Sequence, residues 1–284
     1  MPEPPHAPPL PPGRKVVLPG RGTTFVRELA GPPGAPTILL LHGWTGTADL
    51  NWFAAYEPLA ARFRVVTLDH RGHGRGIRNG RRFRLADCAD DAAAQLDVLG
   101  IDRVVACGYS MGGPIASLLW RRHRHRVEGL VLCATAARFA RSRAGRARLD
   151  LLGSLGAAAQ LVPTPLATAA TARIVGGVNI RRGLGPWVSE ELLLADGRTL
   201  LQAGGELGRW DARPWIGEVD VPASVVVTTE DPLVPPDEQR WQAGAVGATV
   251  HDVAGHHTVC LGMPERFVPA LLAATADVAD RLPR

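Results

Sequence analysis

The chain has 284 residues, 46% of them hydrophobic and 21% charged, a balance that excludes wholesale disorder and allows one large domain with a full core. Its net charge of +5 comes almost wholly from arginine, Lys15 being the single lysine, and no zinc-finger spacing or aromatic-plus-basic repeat accompanies it, so no nucleic-acid partner is expected. The four cysteines show no metal-ligand spacing, and Cys107 and Cys133 sit inside apolar runs, which excludes a disulfide scaffold and points to a reducing, cytoplasmic compartment.

Residues 1–13 are too proline-rich for a signal peptide, lacking a basic opening and an apolar centre, and are expected to form a disordered tail. Six short apolar runs follow: Thr37–Leu41, Arg64–Leu68, Arg103–Cys107, Leu130–Cys133, Ser224–Thr228 and Ala248–Val253. Continuous Val, Ile and Leu bounded by Gly or Asp suits strands covered on both faces, as in a parallel sheet. Between the second and third runs, Leu85, Ala89, Ala92, Leu96 and Leu99 form one helical stripe, with Asp87, Asp90 and Asp91 crowding its first turns. After the sixth, Pro264 and Glu265 open a helix whose apolar face is Phe267, Leu271, Ala274 and Val278.

Strand–helix–strand alternation of this kind implies an α/β fold with a mostly parallel, doubly wound sheet. It breaks once, over 135–221, where only helical material rich in Ala, Arg, Leu and Gly appears. That excursion is too long for a loop and is expected to be a helical cap inserted late in the sheet, with 14–134 and 222–284 forming the core. Within it, the uncharged stretch Leu151–Ala172 has the length of a membrane span, but Gln160, Pro163 and Pro165 make it a lid-type segment, and no stable membrane insertion is expected.

The strongest chemical signal is Gly108-Tyr109-Ser110-Met111-Gly112, directly after one apolar run and directly before a helical one that carries Pro114 in its first turn. A serine on so tight a strand-to-helix turn is pushed out of the sheet, and its flanking positions must be glycine because a Cβ there would collide with backbone. Serine needs a base, and the base an acid to orient it. Of nine histidines, His6 lies in the tail, His123 and His125 in a solvated basic run, His70 and His73 on a turn, and His251 inside a strand; His256 and His257 follow Gly255 at the strand edge. His256 is preferred as base, with His257 as its rival. The fifth run ends in Glu230-Asp231-Pro232, and Asp231 is preferred over Glu230 because the residue before proline is held extended at a turn. An oxyanion hole would combine the N–H of Met111 with one from the turn His42-Gly43-Trp44.

In order, Leu41-His42-Gly43-Trp44, Asp69-His70-Arg71-Gly72-His73-Gly74, Gly108-Tyr109-Ser110-Met111-Gly112-Gly113, Glu230-Asp231-Pro232-Leu233-Val234-Pro235 and Gly255-His256 resemble the α/β-hydrolase superfamily, in particular its small esterases and perhydrolases, over about Thr24 to Arg281. The resemblance implies an α/β-hydrolase fold, places the second oxyanion donor at Trp44, and makes Asp69–Gly74 mainly structural. The sequence departs from it at Thr258-Val259-Cys260-Leu261, where many relatives carry an acidic residue.

The expectation is therefore a serine carboxylesterase with triad Ser110, Asp231 and His256 and oxyanion donors Trp44 and Met111. It would need no cofactor and no metal, and would act on a small, uncharged, partly apolar ester facing Leu151, Leu152, Leu155, Leu161 and Val162 of the cap. Carbon–carbon bond hydrolysis or peracid formation would use the same triad, and a non-catalytic small-molecule receptor is the reading from another class.

Overall fold

The structure, a computed structural model, describes residues 7–159 and 183–282. Eight strands form one sheet: β1 (Gly13–Leu18), β2 (Gly22–Leu29), β3 (Thr37–Leu41), β4 (Arg64–Leu68), β5 (Val104–Tyr109), β6 (Val127–Cys133), β7 (Ala223–Thr228) and β8 (Thr249–Val253), in the spatial order β1-β2-β4-β3-β5-β6-β7-β8. The strands from β3 onward pair in parallel, whereas β2 is antiparallel to both β1 and β4. The six apolar runs of the sequence correspond to β3–β8.

Alternation along each strand divides the core in two. Leu39 and Leu41 of β3, Ala106 of β5 and Leu130 and Leu132 of β6 pack with the helices Leu85–Val98 and Gly112–Arg122. Ile38 and Leu40, Val105 and Cys107, and Val131 and Cys133 face the other way, against the helices Ala48–Trp52, Tyr56–Ala60 and Pro264–Asp280. Both faces are dry, which is why these strands read as continuous apolar runs.

The chain runs from β3 outward to β4 and then returns to the far side of β3 as β5. The order reverses there, and in open α/β sheets such a switch point leaves a crevice beyond the strands' carboxyl ends. Leu41 pairs with Gly108 at this point, so the turns that follow β3 and β5 emerge side by side.

The start of the chain departs from expectation. Residues 7–13 are not a free tail: Leu10 packs against the core, Pro11 O accepts from the Arg27 guanidinium, and Gly13 opens β1. The turn Pro19-Gly20-Arg21 closes the β1–β2 hairpin with Gly20 at φ +70°. Residues 1–6 lie outside the described residues.

Between β6 and β7 the described residues form three α-helices, Arg143–Ala159, Gly185–Leu193 and Gly197–Arg209, and one 3-10 turn, Ile216–Glu218; the first and third α-helices pack on each other. Residues 160–172 of the uncharged stretch lie outside the described residues. Among the described residues no helix is long and apolar enough to cross a membrane.

Candidate active site

Ser110 follows β5 directly and takes φ +52°, in the left-handed region that a non-glycine residue enters at a cost of about 1–2 kcal/mol. Three hydrogen bonds hold it there: Ser110 N–H donates to Cys133 O (2.9 Å), and Ser110 O accepts from Gly113 N–H (2.9 Å) and the Thr135 hydroxyl (2.8 Å). The turn is too tight for neighbouring side chains. A Cβ on Gly108 would lie 2.2 Å from Gly112 O, and one on Gly112 would lie 2.0 Å from Leu41 O. The flanking glycines are thus demanded by the backbone crossing beneath the serine.

Asp231 follows β7 and is buried. Its Oδ1 accepts the N–H groups of Leu233 (2.8 Å) and Val234 (2.9 Å), and its Oδ2 accepts the Thr228 hydroxyl (2.8 Å). Burial alone would raise this carboxyl, but hydrogen bonds from His257, Val234 and Thr228 outweigh it and hold the group below the usual carboxylate range.

The imidazole that meets both residues is that of His257, not His256. His257 Nδ1 lies 2.7 Å from Asp231 Oδ2, and its Nε2 lies 2.9 Å from Ser110 Oγ. An ionised carboxylate only accepts, so Nδ1 carries the proton and Nε2 presents a lone pair to the serine hydroxyl. His256 points outward, 62% exposed, with Nδ1 2.7 Å from Glu230 O. Glu230 is exposed as well and does not reach the site. The exchange follows the alternation of burial past β8: Val253 and Gly255 are buried and His257 part-buried, while Ala254 and His256 are exposed. Tyr109, the residue before the serine, donates its hydroxyl to His257 O (2.6 Å) and braces the histidine turn.

The turn after β3 completes the arrangement. A Cβ on Gly43 would stand 3.3 Å from Ser110 Cβ, so this turn lies against the serine. Gly43 N–H is already donated to Asn51 Oδ1 (2.7 Å), and the next residue, Trp44, lines the cavity. The Trp44 indole is anchored away from the site, donating to Leu200 O (3.2 Å) on the helix Gly197–Arg209. His42 is structural: Nε2 accepts His70 N–H (2.9 Å), so its Nδ1 donates to Gly43 O (2.8 Å). Burial drives His42, His70 and His73 below the ordinary histidine range, His73 to about 3, so all three stay neutral at neutral pH.

Ser110 and His257 open into a cavity of about 320 Å³ walled by Trp44, Leu50, Leu192, Leu233 and Leu261. No charged side chain lines it among the described residues. Leu151, expected to face a substrate, is instead 58% exposed to solvent, because it lies on the outer face of its helix. The side chains of Leu152 and Leu155, and residues 161 and 162, lie outside the described residues. Also among the described residues, no group of three or more His, Cys, Asp and Glu could hold a metal ion.

The family described as alpha/beta hydrolase fold matches residues 36–189 of this sequence, more than half of the chain. The chain belongs to the α/β-hydrolase family. Over 247 residues it is 31% identical to the pimeloyl-[acyl-carrier protein] methyl ester esterase of Chromobacterium violaceum, covering 83% of this chain and 92% of that one. A local match is 40% identical over 86 residues to the dihydrolipoyllysine-residue acetyltransferase component of the acetoin cleaving system of Cupriavidus necator, and this α/β-hydrolase spans only 23% of that protein's length. The enol-lactonase of Burkholderia xenovorans superposes with a TM-score of 0.77 at 22% identity, over 93% of this chain and all of its own, which is a likeness of fold.

Within this α/β-hydrolase, Ser110 and Asp231 come together at the carboxyl rim of the sheet with His257 in place of the expected His256, Trp44 lines the cavity beside them, and Met111 follows Ser110 in the chain. Sequence reasoning missed Tyr109 as a brace, Asn51 as the acceptor that fixes the Gly43 turn, and the leucine wall. Tyr109 lay within the serine motif itself. For Asn51 and Leu192 no sequence signal precedes the fold.

Proposed function

We propose that this α/β-hydrolase is a serine-dependent carboxylic ester hydrolase acting on small, uncharged, partly apolar esters. The observation that carries the reading is the unbroken relay from Ser110 Oγ through His257 (2.9 Å) to Asp231 (2.7 Å), opening on a cavity without charge. Of the region 135–221, the helix Gly185–Leu193 acts as a cap over this site, contributing Leu192 to its wall.

Ser110 Oγ attacks the ester carbonyl while His257 Nε2 takes its proton, and Asp231 steadies the resulting imidazolium. The C–O bond to the alcohol then breaks, His257 returns the proton to the departing oxygen, and an acyl group remains on Ser110. Water repeats the sequence in reverse roles and releases the acid. The peptide N–H groups of Trp44 and Met111 hold the negative charge on the carbonyl oxygen, a contribution of about a hundred- to a thousandfold per donor. Nothing beyond the chain, the ester and water enters the scheme. The apolar wall favours acyl or alcohol chains that bury well, since burial of each methylene is worth about 0.8 kcal/mol.

The test is hydrolysis of p-nitrophenyl esters of increasing chain length together with labelling by a fluorophosphonate probe. The expected result is turnover and labelling by the parent protein, and neither by Ser110→Ala. A parent that neither hydrolyses nor labels would favour a small-molecule receptor and overturn the proposal.

A further inference from the structure

A second buried cluster of ionisable groups lies behind the Gly43 turn, and the reaction scheme does not use it. Arg27 of β2 grips Asp49 through Nε (2.6 Å) and Nη2 (2.9 Å). Arg75, in the loop after β4, reaches three carboxylates: Asp49 (2.9 Å), Asp69 (3.0 Å) and Glu191 (3.2 Å from each terminal nitrogen). Asp69 also accepts the N–H groups of Ala48 (2.9 Å) and Arg75 (2.8 Å), and Asp49 accepts the Tyr56 hydroxyl (2.9 Å). Among the described residues, Glu191 has one hydrogen-bond partner besides Arg75, the hydroxyl of Thr47 at 2.5 Å.

Those contacts join two parts of the active site. Glu191 sits on the helix Gly185–Leu193, whose next residue, Leu192, walls the cavity. Thr47 closes the turn 43–47, which carries Trp44 and holds Thr45 at φ +66°, and it caps the helix Ala48–Trp52 by accepting Leu50 N–H (3.2 Å). We propose that Glu191 is the positioning residue that couples the cap helix Gly185–Leu193 to the turn 43–47, setting Leu192 and the Trp44 amide relative to Ser110 through one carboxyl group. The inference rests on the reading of Ser110 as nucleophile and goes beyond it.

Charge counting says how this coupling responds to pH. Among the described residues two arginines pair with these three carboxylates, an excess of one negative charge when all are ionised, and Glu191 accepts no backbone N–H, unlike Asp69, and is held by one arginine, unlike Asp49. Burial, with Asp49 and Asp69 adding to it, pushes Glu191 up to about 7 against the pull of Arg75 and Thr47. The other groups nearby are Arg27 and Tyr56 around Asp49, His42 and Arg78 beside Asp69, with Arg78 also donating to Leu194 O (2.7 Å) just past the helix, and the exposed Glu190 on Glu191's own helix. A carboxyl raised in the docked state favours docking most when protonated. Its contribution is complete below the ordinary value of 4.5 and is lost as pH rises through about 7.

The experiment measures kcat and KM for a neutral p-nitrophenyl ester between about pH 6 and pH 8 in the parent, Glu191→Gln and Glu191→Ala, with amide hydrogen exchange of residues 185–193 in the same proteins. One pH unit of carboxyl titration corresponds to about tenfold in the docking equilibrium, so KM of the parent should climb by about that factor between pH 6 and pH 8, most of it below pH 7, and level off above. Glu191→Gln keeps the shape and cannot ionise, and should hold KM level. After correction for the intrinsic pH dependence of exchange, residues 185–193 should open faster above pH 7 in the parent and at one rate in Glu191→Gln. Glu191→Ala should loosen that helix at every pH. A KM profile in Glu191→Gln that parallels the parent's, or exchange insensitive to pH in both, would overturn the coupling. If the parent lacks esterase activity and probe labelling, the nucleophile reading fails by itself, and the exchange measurement still decides whether Glu191 couples the two segments.

Discussion

Two buried polar clusters lie at the same rim of the sheet and are built to opposite ends. In Ser110–His257–Asp231 each inner member is saturated: Asp231 accepts four hydrogen bonds and both ring nitrogens of His257 are engaged. The last member, the serine hydroxyl, faces a cavity. In the cluster of Arg27, Asp49, Asp69, Arg75 and Glu191 the carboxylates are paired with arginines and none of the five lines that cavity. Burial and ionisation are common to both, so neither marks a reaction site. What separates them is an opening onto space where a substrate atom can arrive.

Substitutions should separate the clusters by what is lost. The largest effect belongs to His257→Ala, which removes the base and should lower kcat for an ester by about a millionfold, with thermal stability little changed; steady-state kinetics beside a melting curve checks both. Next comes Arg75→Met. It strips Asp49, Asp69 and Glu191 of their shared cation and should cost about 3–5 kcal/mol of stability in urea denaturation. That loss should shrink below pH 7, where Glu191 takes up a proton. If Arg75→Met instead abolished turnover in a fully folded protein, the division between the clusters would collapse. The smallest effect is expected from His256→Ala, whose ring is exposed: activity within about twofold and stability within about 0.5 kcal/mol, read in the same two assays.

The sequence-level reading succeeded where one physical requirement dominates a segment. β3–β8 were legible because strands dry on both faces need uninterrupted apolar residues, and Ser110 because a backbone crossing admits only glycine on either side. The β1–β2 hairpin was not, since an edge hairpin with one solvated face mixes Arg, Lys and Thr with valine, and the prolines before Gly13 resemble a tail. The histidine was missed by one residue for want of counting inward and outward positions from Val253. Leu151 was misassigned because helical periodicity gives a stripe but not the neighbour it faces. Glu191 could not be foreseen at all, because nothing in a lone Ser-Glu-Glu tripeptide announces a buried charge.

The left-handed backbone at Ser110 has an implication of its own. By conformational preference alone glycine would suit position 110 better, since it occupies φ +52° without steric penalty. A hydroxymethyl group is therefore kept there at a standing cost to the folded chain, and the three hydrogen bonds around it hold the backbone in that shape. That standing cost is what the proposed use of its oxygen would have to repay.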